Sequence, residues 1–145
     1  MRSGVRLACD VGTVRIGLAR SDASGLLAVP LPAVKAGAGA LGAVVAAVDE
    51  WEAIEVVIGL PLHMSGHEGT SAELARQFAS GLAERVAAPV RLLDERFSTV
   101  QAQRGLHASG RTTRQSRSLI DSASAVIVLQ AALDAERAAG NGGHA

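Results

Sequence analysis

The order of elements along this chain predicts an α/β domain built on a mixed sheet. Three observations predict it: two strands joined at a tight turn in Leu7–Asp22, a continuous apolar run at Ile54–Leu60, and strands alternating with amphipathic helices after that. In the opening stretch Leu7, Cys9 and Val11 alternate with Ala8 and Asp10, which is strand periodicity. Gly12 and Thr13 mark the turn, and Ile16, Leu18 and Ala19 resume the apolar run. Gly25–Val29 reads as a weaker third strand closed by Pro30 and Pro32. Gly39–Trp51 has helical composition, with Val44, Val45 and Val48 at helical spacing. Ile54–Leu60 is a buried strand ended by Pro61, and His63–Gly69 is a polar, glycine-rich loop. Thr70–Val86 reads as an amphipathic helix with Leu74, Phe78 and Leu82 on one face. Pro89–Leu93 is a further short strand. Two helices, Thr99–His107 and Thr113–Arg137, follow on either side of Ser109-Gly110. The expectation is one domain over residues 1–137 and a flexible tail over 138–145.

Composition narrows the function classes. At 145 residues and 48% hydrophobic, the chain is large and apolar enough for a packed core, which excludes a disordered segment. Aromatics are only 2%, so that core must be built from Val, Leu, Ile and Ala. The single cysteine, Cys9, excludes an internal disulfide and fits a reducing cytoplasm. No secretory signal and no apolar run of membrane-spanning length is evident, so a cytoplasmic protein with no membrane partner is expected. Net charge is zero, but its distribution is uneven. Arg104, His107, Arg111, Arg114 and Arg117 occur with no acid among them, the pattern of a phosphate-binding edge or of a solvated helix face.

Three carboxylates fall at informative places. Asp10 lies inside the first apolar strand, where an ionised acid is costly unless compensated. Asp94-Glu95 directly follows the short strand, and Asp121 lies in the last helix. Functional groups in α/β sheets gather at strand ends, so Asp10, Glu95 and Asp121 are expected to converge on one edge. Converging acids repel unless a divalent cation sits among them, and all-oxygen ligation suits Mg²⁺ or Mn²⁺. Two such ions would serve phosphodiester hydrolysis by activating water and stabilising the leaving oxygen. In a continuous last helix Arg114, Arg117, Asp121, Ala125 and Val128 share a face, so the arginines stand ready for a phosphate or for simple pairing of Arg117 with Asp121.

The segments DVGTVRIGLARSD, VVIGLPLHMSGHEG, LLDERFSTVQA and IDSASAVIVLQAALD, in that order, resemble the YqgF/RuvX family, small bacterial proteins with the ribonuclease-H-like fold of the RuvC resolvase. The resemblance runs from about Leu7 to Asp134. It implies a five-stranded mixed sheet, three antiparallel strands followed by two parallel ones, flanked by helices. It also implies Asp10, Glu95 and Asp121 as metal carboxylates, with Arg15, Arg96 and the hydroxyl pair Ser98-Thr99 beside them. With Arg111, Arg114 and Arg117 these are the expected substrate contacts. The activity implied is metal-dependent cleavage of nucleic acid, either trimming of the 5′ end of precursor 16S rRNA or resolution of four-way DNA junctions. The sequence departs from the family at Val14, often lysine, at His63 and Ser65, often asparagine and aspartate, and at Ser124, often alanine. The change at Ser124 is expected to matter little.

Other readings compete with these. His63 and His67 have zinc-binding spacing only on a helix, and Pro61, Ser65, Gly66 and Gly69 favour a loop. Cys9 is expected in the core on the face opposite Asp10, and Trp51 against the first helix. Asp94 competes with Glu95 for the ligand role, since neighbouring strand-end side chains point to opposite faces; the family match favours Glu95. Asp-x-Gly-Thr also opens the phosphate loop of sugar kinases and actin-like ATPases, but those clamp ATP between two such domains and this chain has room for one. A scaffold that binds nucleic acid without turnover is the remaining alternative. Few aromatic anchors are available for a dimer interface, so a monomer or weak homodimer is expected.

Overall fold

A computed structural model describes residues 2–97 and 119–142. Its elements run β1 (Arg6–Val11), β2 (Arg15–Ser21), β3 (Ala28–Lys35), α1 (Ala40–Trp51), β4 (Glu55–Leu60), α2 (Thr70–Ala83), β5 (Val90–Asp94), a 3₁₀ turn (Glu95–Phe97) and α3 (Ala123–Gly142). The sheet has five strands in the order β3-β2-β1-β4-β5. The β1–β2 and β2–β3 pairs are antiparallel, while β1–β4 and β4–β5 are parallel. This is the mixed sheet that the motifs imply.

Alternation along β1 builds both layers. Leu7 and Cys9 point into a core shared with Val44 and Val48 of α1 and Ala72, Ala75 and Leu82 of α2. Burial pushes the Cys9 thiol up to about 12, with the Asp10 charge adding to it, so Cys9 is an inert core residue. Ala8 faces the other way, into a second core with Val57 and with Ala125, Val128, Leu129, Ala132 and Leu133 of α3. Every residue of β4 is buried, as a central strand covered on both faces requires. Trp51 packs against the first core, with the Arg20 guanidinium 4.2 Å from its ring centroid.

Several boundaries differ from the sequence reading, each for a physical reason. The third strand is Ala28–Lys35 and runs through Pro30 and Pro32. Strand β3 lies at the sheet edge, where a missing N–H need not break a ladder. Its register also shifts, from Ile16↔Val34 to Leu18↔Leu31, so β3 carries an extra residue in a bulge next to Pro32. Helix α2 buries Ala72, Ala75, Ala79 and Leu82, whereas Leu74 and Phe78 are only half-buried. Small residues let the helix lie close to the sheet, and the larger ones move to its rim. The last helix is not continuous: residues 119–121 are helical, Ser122 is a turn, and α3 starts at Ala123. It then runs to Gly142, past the point where a tail is expected, because Ala138 and Ala139 favour helix. The predicted helix Thr99–His107 and the start of Thr113–Arg137 lie outside the described residues.

An ion-pair network closes the end of the sheet where β1 and β4 begin. Arg6 is 1% exposed and pairs with Glu136 of α3 at 2.6 Å. Arg2 pairs with Glu136 at 2.6 Å and with Glu55 at 3.3 Å, and Arg91 pairs with Glu55 at 3.0 Å. Hydrogen bonding from Arg2, then from Arg6, pulls the Glu136 carboxyl down to about 2. Among the described residues no helix is long and apolar enough to cross a membrane.

Candidate active site

The opposite end of the same strands carries the acids. Asp10 is paired in register with Gly17 of β2, and Gly59 of β4 lies one step beyond the last β1–β4 pair, Cys9↔Ile58. Asp10 is thus flanked by glycine in both neighbouring strands. A Cβ on Gly17 would stand 2.7 Å from the Asp121 carbonyl oxygen, 3.2 Å from Ser122 Cα and 3.6 Å from Asp10 Cβ. A Cβ on Gly59 would stand 3.1 Å from the Glu95 carboxyl carbon and 3.1 Å from Val128 Cγ2. The two glycines clear the sheet surface so that Asp121 and Glu95 reach either side of Asp10.

Each acid has a different environment. Burial lifts Asp10 above its usual range, while a hydrogen bond from the Ser124 hydroxyl acts the other way. Glu95, at the start of the 3₁₀ turn, is lifted to about 7, chiefly by burial and then by the charges of Asp10 and Asp94. Asp121 forms an ion pair with Arg15, whose Nε lies 3.1 Å from Oδ2. Asp94 turns away and is claimed by Arg96, which reaches it through the backbone amide at 2.9 Å and the guanidinium at 2.6 Å. Those bonds hold Asp94 below the usual carboxylate range. The two adjacent acids therefore separate as strand-end geometry requires, with Glu95 directed over the sheet.

Of the predicted site residues, Asp10 and Glu95 come close enough for the Asp10 charge to act on Glu95, while Asp121 packs its backbone on Gly17 and pairs its carboxylate with Arg15. Arg96 is next to Glu95, held by Asp94 and by a 3.3 Å bond to the Met64 carbonyl. Thr99, Arg111, Arg114 and Arg117 lie outside the described residues. Among the described residues no three His, Cys, Asp or Glu side chains are grouped so that they could together hold a metal ion. Asp121 is paired with Arg15, while the charges of Asp10 and Asp94 bear on Glu95. His63 and His67 stack as rings 5.4 Å apart in the loop after β4. Sequence reasoning missed Gly17, Gly59 and Ser122, and it undervalued Ser124. Glycine inside a strand was the available signal for the first two.

The architecture defines a ribonuclease-H-like protein with a carboxylate site at the edge of its sheet. Solved structures of similar fold include Thermus thermophilus RuvC in complex with a Holliday junction substrate, with a TM-score of 0.59 at 15% identity, covering 93% of this chain and 96% of that one. Among curated relatives, proteins named "Putative pre-16S rRNA nuclease" from Nocardioides sp. and Thermobifida fusca are 51% and 49% identical. The alignments cover 97% and 94% of this chain and 94% and 91% of those relatives. The family model RuvX, described as Holliday junction resolvase, matches residues 4–135, and the chain belongs to that family.

Proposed function

We propose that this protein is a metal-dependent nuclease that hydrolyses phosphodiester bonds and processes the 5′ end of precursor 16S rRNA. The observation that carries the reading is the approach of Asp10 and Glu95, with Glu95 held at about 7 by burial and by like charge. Acids driven together in this way fit a divalent cation, which would relieve both effects. Asp10, Glu95 and Asp121 are the residues that would hold Mg²⁺ or Mn²⁺, two ions if the site is fully loaded. When bound, such ions supply an activated water and stabilise the leaving oxygen.

The chain's own groups do the rest. Near neutral pH the Glu95 carboxyl keeps much of its proton, so ligand formation there releases one. Arg15 is more than half exposed, so its guanidinium can turn from Asp121 to a substrate phosphate. Arg96 is the second phosphate contact in this reading, and Thr99, Arg111, Arg114 and Arg117 extend the path. One site suffices for trimming an RNA end, so a monomer or weak homodimer in the cytoplasm fits.

The names of the relatives favour the RNA substrate. The description of the family model favours a second reading, resolution of four-way DNA junctions, which needs two sites at fixed spacing in a dimer. Cleavage of a precursor rRNA leader and of a four-way junction, side by side with Mg²⁺ or Mn²⁺, decides between them. Cleavage of the RNA, lost in Asp10→Asn with the fold retained, is expected. Preferred junction cleavage reverses the order, and binding without cleavage by wild type and variant alike leaves only the scaffold.

A further inference from the structure

We propose that Ser122 is a positioning residue that fixes where the Asp121 carboxylate stands over the sheet, an inference that rests on the metal-binding reading above. The bulge between β2 and β3 advances two residues on one strand and three on the other, from Ile16↔Val34 to Leu18↔Leu31. At that point the Ser122 hydroxyl enters the sheet from above. It accepts a hydrogen bond from the Leu18 amide at 3.0 Å and donates one to the Leu31 carbonyl at 2.7 Å. Leu18 and Leu31 are register partners, so the hydroxyl spans the ladder where the bulge opens it. A hydroxyl suits the position because it donates and accepts at once.

The same residue is the turn between the helical stretch 119–121 and α3. Its amide donates to the Leu119 carbonyl at 3.1 Å, and its carbonyl accepts from the Val126 amide at 3.1 Å. Ser122 is fully buried, and Gly17 beneath it admits the Asp121 carbonyl where any side chain would collide. The backbone of Asp121 is therefore held by two strands at once, with its carboxylate 3.1 Å from the Arg15 guanidinium. Removing the hydroxyl leaves a buried amide and a buried carbonyl unsatisfied and lets the turn lift.

A structural control exists in the same strand. Ser21 is also fully buried; its hydroxyl accepts from the Arg6 amide at 2.9 Å and donates to the Asp22 carbonyl at 2.8 Å, at the far end of β2. Mn²⁺ binding to the full chain, followed by electron paramagnetic resonance, is compared for wild type, Ser122→Ala and Ser21→Ala, with melting temperatures measured in parallel. Both variants should melt lower. Only Ser122→Ala should bind Mn²⁺ about tenfold more weakly, the loss typical of groups that orient a metal ligand, with Ser21→Ala within about twofold of wild type. Equal Mn²⁺ affinity in Ser122→Ala and wild type, or equal weakening in both variants, overturns the proposal. If Ser122→Ala does not fold, Gly17→Ala displaces the same turn from below, and unchanged affinity there overturns it as well. Failure of wild type itself to bind Mn²⁺ overturns the metal reading and this inference with it.

Discussion

Glu95→Gln should make the metal-free protein more stable at about pH 8 and leave it unchanged at about pH 4. Glu95 is raised from its ordinary 4.5 to about 7 by burial first, then by Asp10 and Asp94. Between those two values the folded chain holds a proton that the unfolded chain has released. The stability contributed by the neutral carboxyl is therefore complete below 4.5 and is lost as pH rises through about 7. At about 1.4 kcal/mol per pH unit the full effect is about 3 kcal/mol in a dry site. Glu95 is only partly buried, so solvent screening leaves roughly 1–2 kcal/mol. Glutamine has the same shape and no charge to desolvate. In a chain of this length that difference is a melting point higher by about 3–6 °C. Thermal melts with chelator at the two pH values measure it, and Mn²⁺ added at the higher pH should then stabilise wild type but not the variant. An offset of the same size at both pH values, or a variant that melts lower at about pH 8, would falsify the assignment of Glu95 as a carboxylate strained by its neighbours.

Three further outcomes follow from the same geometry. Ser124→Ala removes the hydroxyl that favours ionised Asp10, so the acid limb of the cleavage profile should move to higher pH, and an unmoved limb refutes this role. Gly59→Ala brings a methyl to 3.1 Å from Glu95 and Val128; urea unfolding should show a loss of about 1–2 kcal/mol, together with weaker Mn²⁺ binding. Glu136 is pulled down to about 2 by Arg2 and Arg6, so its ion pairs stabilise the fold above 4.5 and are lost as pH falls through about 2. Glu136→Gln should therefore lower stability by about 1 kcal/mol at neutral pH and by less at about pH 3, whereas an equal loss at both removes the charge from the explanation.

The parts legible in the sequence were those governed by local pattern. Alternation in β1 put Cys9 and Asp10 on opposite faces, and the continuous run in β4 marked the buried centre of the sheet. Of the candidate acids, Asp10 was legible because a charge inside an apolar strand is conspicuous, whereas the choice of Glu95 over Asp94 rested on the family resemblance. What stayed hidden depends on neighbours distant in sequence. Pro30 and Pro32 read as strand breakers until β3 is known to be an edge strand with a bulge. Ser122 looks like an ordinary helical position, and only the opened β2–β3 ladder, about a hundred residues away, explains why the helix turns there. Ser124 was undervalued for the same reason, since its partner Asp10 lies in the first strand. The alanine face of α2 was missed because hydrophobicity ranks Leu74 and Phe78 higher, whereas close approach to a sheet selects for small size.

The two ends of β1 give the strongest argument that the acid edge serves a ligand. Arg6 and Asp10 lie on the same face of one strand, about 13 Å apart, under the same helix α3. At the Arg6 end the fold supplies countercharge: Arg2, Arg6 and Arg91 surround Glu136 and Glu55, and the Glu136 carboxyl falls to about 2. At the Asp10 end the shifts have the opposite sign, with Asp10 raised and Glu95 raised to about 7. Among the described residues the arginines at that edge are Arg96, paired with Asp94, and Arg15, paired with Asp121. Burial and the Asp10 charge act on Glu95, and the Ser124 hydroxyl bonds Asp10. A sequence selected for stability alone would favour at Glu95 the neutral glutamine that the first prediction expects to be more stable. Keeping an acid there, over a glycine that makes room for it, fits the proposed cation site.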